Sequence, residues 1–258
     1  MATVVLAAVL VLLGLIAGPW VGIVVDRAVD RIRLEPHHRC SHCQTGLGSR
    51  SLRPVLSWTD HCPSCANHKG VRYPLVDVGS VAVFVALGLR FGWSPMLLPY
   101  LALGAVLVAL SAIDIETHLL PNVIVWPSII VGLFLILVFS GEFDYVDGIN
   151  SALLGAAVFS GFMGLAHVIH ERGMGFGDVK LAILLGLFVG WLQPSLIEAT
   201  RLVFWTILLA LAGGGIIGLV YNVVRGRGRA EIPFGPALAA ASLVIVVLSP
   251  AIMSDVAI

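Results

Sequence analysis

Apolar stretches recur at residues 2–25, 73–89, 95–113, 121–139, 149–169, 179–197, 202–224 and 234–254, and together they occupy most of the 258-residue chain. A run of ~20 apolar residues is long enough to cross a bilayer as a helix. In lipid every backbone polar group must find its partner inside the segment, so a helix is the default for each run. Composition agrees: 59% of the residues are hydrophobic and 12% charged, where a soluble domain carries about 25% charged residues. The expected fold class is an all-α polytopic membrane protein of about eight transmembrane helices. The second stretch is the shortest and carries Asp77 near its start. The first stretch lacks a basic leading region and is too long for a signal-peptide core, so it reads as a retained transmembrane helix.

The charges sort onto two sides of this map. Arg27, Arg31, Arg33, Arg39, Arg50, Arg53, Lys69 and Arg72 lie between the first two stretches. Arg172 and Lys180 flank the link between the fifth and sixth, and Arg225, Arg227 and Arg229 lie between the seventh and eighth. Only Arg90 and Arg201 fall on the other side, together with Glu142, Asp144, Asp147 and Glu198. By the positive-inside rule the basic side is cytoplasmic and both termini lie outside. The organisation expected is a first transmembrane helix (1–25), a cytoplasmic domain (26–72) and a seven-helix membrane domain (73–258).

All four cysteines lie in the cytoplasmic segment, as "CSHC" and "CPSC": Cys40, Cys43, Cys62 and Cys65. Two C-x2-C knuckles eighteen residues apart have the spacing of a zinc site, and four thiolates complete a closed tetrahedral structural shell. Two disulfides, or thiols with no role, are the competing readings, and the reducing cytosol disfavours the first. His37, His38, His42, His61 and His68 surround the knuckles and read as solvated surface residues. A segment this short has little core of its own, so metal binding would supply much of its folding free energy.

Ionisable groups at the membrane are rare and usually functional. Asp114 follows "VLVALSAI" at the cytoplasmic end of the third stretch, and Asp178 closes "GFGD" at the cytoplasmic start of the sixth. Each alone reads as an interfacial helix-end residue. As a pair delivered to one membrane face at similar depth, they point to chemistry. Two carboxylates ~3 Å apart cannot both ionise, so they share a proton. One then acts as base on a water and the other as acid towards a scissile carbonyl and its leaving amine. No serine–histidine or cysteine–histidine arrangement rivals this pair. Helix dipoles favour the anion on Asp178, at a helix N-terminus, and the proton on Asp114, near a C-terminus.

Gly175 and Gly177 let backbone and substrate approach Asp178 closely. Lys180 either tunes Asp178, contacts the substrate backbone or snorkels to the headgroups. Pro121 ends the helix that carries Asp114 near His118, Glu116 is expected to face water, and His167 and His170 read as helix-end residues. "AGGGIIG" (212–218) reads as close helix packing through small residues, with a flexible helix as the alternative.

The chain resembles the type IV prepilin peptidases, membrane aspartic proteases of the GxGD type. The resemblance is carried by the four-cysteine loop, "RYPLVD", "DIETHLLPN", "GFGDVK" and "IPFGPALA", in that order along almost the whole chain. It implies catalytic roles for Asp114 and Asp178, with Gly175, Gly177 and Lys180 in the active-site loop. It also implies a prepilin or pseudopilin substrate, cleaved at the cytoplasmic face of the bacterial inner membrane after a short basic leader. Many relatives also N-methylate the new N-terminus with S-adenosylmethionine. Relatives often carry a Gly-Ser-Phe-x-Asn-type stretch at the end of the first helix where this chain reads "VGIVVDRAVDRI", so that cofactor is implied only where methyl transfer is retained. Asp77 and Glu231 are weak candidates for holding the basic leader. Membrane lipid is the other expected partner, and no nucleic acid is. The reading from another class is a proton- or cation-coupled transporter using Asp114 and Asp178, although transporters usually place such groups near the midplane.

Overall fold

In the computed structural model, residues 2–33, 72–142, 145–169, 175–225 and 233–254 are described. Their backbone forms α1 (Ala2–Arg33), α2 (Arg72–Phe91), α3 (Leu97–Thr117), α4 (Asn122–Phe139), a 3-10 turn (Ser140–Glu142), α5 (Tyr145–Ile169), α6 (Phe176–Gly190), α7 (Leu196–Arg225) and α8 (Gly235–Ser254). No strand occurs among the described residues. The four cysteines and the expected zinc loop lie outside them.

Six of these helices, α1 to α5 and α7, are long and apolar enough to cross a membrane. Their outward faces carry large apolar side chains, among them Ile130, Phe134, Leu165 and Phe204, each more than half exposed. Such a surface belongs in lipid, because a soluble protein rarely leaves so much contiguous apolar area in water. The protein is multi-pass.

The sixth element departs from its expected range. The sequence predicts a span over 179–197, yet α6 stops at Gly190 and α7 begins at Leu196, ahead of its expected start at 202. Pro194 supplies the break: it cannot donate to the preceding turn and restricts the residue before it. With 15 residues and ~1.5 Å rise per residue, α6 reaches only part of the ~30 Å hydrocarbon thickness. It is instead enclosed by protein: Leu181, Ala182, Leu184, Leu185, Phe188 and Val189 are almost completely buried.

Small residues allow that enclosure. Gly186 and Gly190 of α6 lie backbone to backbone against Gly155 and Ser151 of α5, so a Cβ on Gly190 would come 3.1 Å from the Cα of Gly155. Helices in lipid gain their association from such close contact, since apolar side chains gain little by leaving lipid tails for one another. The "AGGGIIG" stretch behaves differently. It lies within continuous helix, Gly214 packs against the Phe234 ring, and Gly213 and Gly215 face open space.

The end of the bundle away from the basic segments is fastened by aromatic residues. Tyr100 stacks on Phe91 and Trp191, with ring centres 4.4 and 5.8 Å apart. Its hydroxyl donates to the Phe188 carbonyl at 2.8 Å, and the Trp191 indole N–H donates to Ser140 Oγ at 3.1 Å. With α3, α6 and their neighbours fixed there, the opposite ends of α3 and α6 are held in register.

Candidate active site

Asp114 sits in the last turn of α3. That helix ends three residues later because His118 takes a left-handed conformation (φ 53°) and its N–H caps the Asp114 carbonyl at 2.8 Å. Pro121 then resets the chain in an extended conformation, and α4 starts at Asn122. Asp178 sits in the first turn of α6, its backbone N–H bonded to the Gly175 carbonyl at 3.1 Å. The Gly175 N–H in turn faces the Asp178 carboxylate.

The two aspartates, sixty-four residues apart in sequence, are brought within electrostatic range of each other. Asp114 is 5% exposed and Asp178 8%. Buried charges are costly unless paired or put to use. Two carboxylates of like charge, in each other's field at one end of an apolar bundle, do not stabilise one another. A shared proton relieves that cost.

Gly235 was not among the residues the sequence singled out individually. Its backbone N–H, at the start of α8, donates to Asp114 Oδ2 at 2.9 Å. A Cβ on Gly235 would lie 2.7 Å from that oxygen, so only glycine permits the approach. The Gly-Pro pair opening "GPALA" does carry a signal, since proline favours the first helical turn and free N–H groups there attract anions. Asp114 therefore stands between the C-terminal end of α3 and the N-terminal end of α8. The dipole argument that separated the two acids in the sequence now applies to both.

The other expected residues distribute as follows. Gly177 lies against the α3–α4 turn, where a Cβ would meet the Leu120 Cβ at 2.9 Å. Lys180 reaches Asn122 Oδ1 at 2.7 Å and lies over the Phe176 ring. The imidazole of His118 stays within electrostatic range of Asp114. His167, expected only to end a helix, packs on Phe176 with ring centres 5.7 Å apart and lies within range of Asp178. Glu116, expected to face water, is half-buried and engaged with a partner. Asp77 is 5% exposed, packed against Gly18 of α1, so it does not stand at the surface where a basic leader would meet it. Asp26, which the sequence did not single out, is likewise buried. Glu231 and His170 lie outside the described residues. Among the described residues, no group of three or more histidine, cysteine or acidic side chains is arranged to hold a metal ion.

Residues 12–91 match the Bacterial Peptidase A24 N-terminal domain and residues 101–223 the Type IV leader peptidase family. The chain is 32% identical to a prepilin leader peptidase/N-methyltransferase of Stutzerimonas stutzeri, over 81% of its own length and 71% of the relative's. It is 30% identical to the protein of that name from Pseudomonas aeruginosa, over 90% of this chain and 86% of the relative. A Pseudomonas putida relative of the same name is 32% identical over 82% and 72%. No solved structure matches. With both aspartates inside the matched region and identity running through most of two chains, this protein belongs to the type IV leader peptidase family.

Proposed function

We propose that the chain is an aspartic endopeptidase that removes the leader peptide of type IV prepilins or pseudopilins at the cytoplasmic face of the bacterial inner membrane. The observation that carries the reading is that Asp114, from the end of α3, and Asp178, from the start of α6, are both buried and within electrostatic range of each other. In this mechanism the dyad holds one proton. The ionised carboxylate takes a proton from a water, whose oxygen attacks the scissile carbonyl. The protonated partner donates to the developing oxyanion; the carboxyl that took the water's proton then passes it to the leaving amine as the C–N bond breaks, and the collapsing gem-diol returns a proton to the other carboxylate. Gly235 holds Oδ2 of Asp114, and Oδ1 is the oxygen this mechanism assigns to the proton transfers.

The topology that goes with this function has all eight helices embedded, α6 and α8 included, with both termini outside and the dyad on the cytoplasmic side. The distribution of lysine and arginine supports that orientation. The shortness of α6 is compatible with it, because an enclosed helix can end inside the bundle when its termini are satisfied by protein. Cys40, Cys43, Cys62 and Cys65 are assigned to a structural zinc ion on the strength of their spacing. The relatives' names include N-methyltransferase. S-adenosylmethionine is a cofactor here only if methyl transfer is retained. A transporter reading is disfavoured by the position of both carboxylates at helix ends rather than at mid-span.

The test is to co-express the chain with a prepilin and follow leader removal. Wild type is expected to process the precursor, while Asp114→Asn and Asp178→Asn accumulate it; processing that survives either substitution removes the proteolytic assignment.

A further inference from the structure

The helices that carry the two aspartates share two neighbours, since α3 and α6 both pack on α8 and both pack on α4. On the α8 side the link is the Gly235 contact with Asp114. The α4 side holds a second polar link, which the cleavage chemistry does not use. Lys180, in the second turn of α6, donates from Nζ to Oδ1 of Asn122, the first residue of α4, at 2.7 Å. Its ammonium also lies 4.7 Å from the centre of the Phe176 ring, and that ring meets His167 of α5. Two residues before Asn122, Leu120 seats on the bare face of Gly177. The turn they belong to begins at His118, whose N–H closes α3 on the Asp114 carbonyl. One short turn is thus tied to Asp114 at its start and to the Asp178 helix at its end.

We propose that Lys180 and Asn122 form a clasp that sets the spacing of Asp114 and Asp178, each acting as a positioning residue. The clasp rests on the proteolytic reading above and adds to it how the dyad is held. The apolar Leu120–Gly177 contact fixes how closely the turn and α6 approach but leaves them free to slide, because dispersion is not directional. A hydrogen bond from an ammonium is directional and charge-assisted. The aromatic face under the same ammonium restricts its long stem further. A lysine that merely snorkels to the headgroups needs neither partner. Proton exchange within a dyad tolerates little misplacement, and a shift of ~1 Å can cost about 10²-fold in rate.

The experiment uses the full-length protein in lipid nanodiscs with a purified prepilin as substrate. Lys180→Ala and Asn122→Ala are each expected to lower kcat about tenfold with KM unchanged. The double variant should be no slower than the worse single one, as residues acting through one shared contact are non-additive. Asn122→Asp, which keeps an acceptor for Lys180, should restore wild-type turnover. Additive losses, or full turnover in Asn122→Ala, overturn the clasp. Hydrogen exchange examines it without reference to cleavage: the amides of His118, Leu119, Leu120 and Asn122 should exchange faster in Lys180→Ala than in wild type, and unchanged exchange overturns the clasp whether or not the chain cleaves a prepilin. Cleavage that persists in Asp114→Asn overturns the dyad instead, and hydrogen exchange then decides the clasp on its own.

Discussion

The backbone N–H of Gly235 donates to Oδ2 of Asp114 at 2.9 Å, across 121 residues of sequence. This contact brings the N-terminus of α8 to the end of α3 and orients one of two buried carboxylates. A backbone donor is well suited to the proposed dyad, since it brings no further titratable group to Asp114.

Gly235→Ala tests that contact directly. The added methyl would lie 2.7 Å from Asp114 Oδ2, so either the carboxylate or the start of α8 must move. Cleavage is expected to fall about 10²-fold, the scale of a ~1 Å misplacement. Measured kcat should carry the loss while the thermal unfolding midpoint in detergent stays close to wild type. An equal loss in stability would make Gly235 a packing residue.

The shared proton of the proposed dyad would make the reaction doubly dependent on pH. The competent dyad carries one proton, so activity is lost at low pH as the second carboxylate protonates. It is lost again at high pH as the shared proton leaves. A bell-shaped profile of kcat/KM is expected, with its two limbs belonging to the pair rather than to either residue. A single sigmoid across the accessible range would argue against a monoprotonated dyad.

The α5–α6 interface predicts an effect on folding rather than on chemistry. Gly155 touches the backbone of α6 at Gly186 and Gly190, leaving no space for a side chain. Gly155→Leu should destabilise the protein by at least about 1–3 kcal/mol, the usual cost of overpacking. A lowered unfolding midpoint with full activity in the surviving folded fraction is the expected pattern.

Much of this arrangement is legible in the sequence, and the parts that are not have identifiable reasons. Apolar runs announce the helices because lipid demands them, and Asp114 and Asp178 stand out because carboxylates at membrane helix ends are expensive. The α6–α7 boundary is blurred because the break at 191–195 is short and opens with the apolar Trp191 and Leu192, leaving Gln193, Pro194 and Ser195 as the local signal. Gly235 carries only the indirect signal of a Gly-Pro pair at a helix start, since the group that acts is a main-chain N–H. His167 and Asn122 join the site only through tertiary proximity, which no helical period encodes.

The four cysteines carry a prediction of their own. Purified protein should contain about one zinc per chain, the content of a closed site of four thiolates. Cys40→Ser with Cys62→Ser should remove it, as measured by metal analysis. Retained processing in that variant restricts the metal to structure, and zinc content unchanged by the substitutions would contradict the assignment.

The central claim is that Asp114 and Asp178 act as one unit, and single-turnover cleavage of a purified prepilin measures it most directly. Asp114→Asn, Asp178→Asn and the double variant should all show the same absence of product, because members of one catalytic unit are non-additive. Product formed by either single variant, at a rate that falls further when the second aspartate is replaced, would contradict the shared-proton dyad.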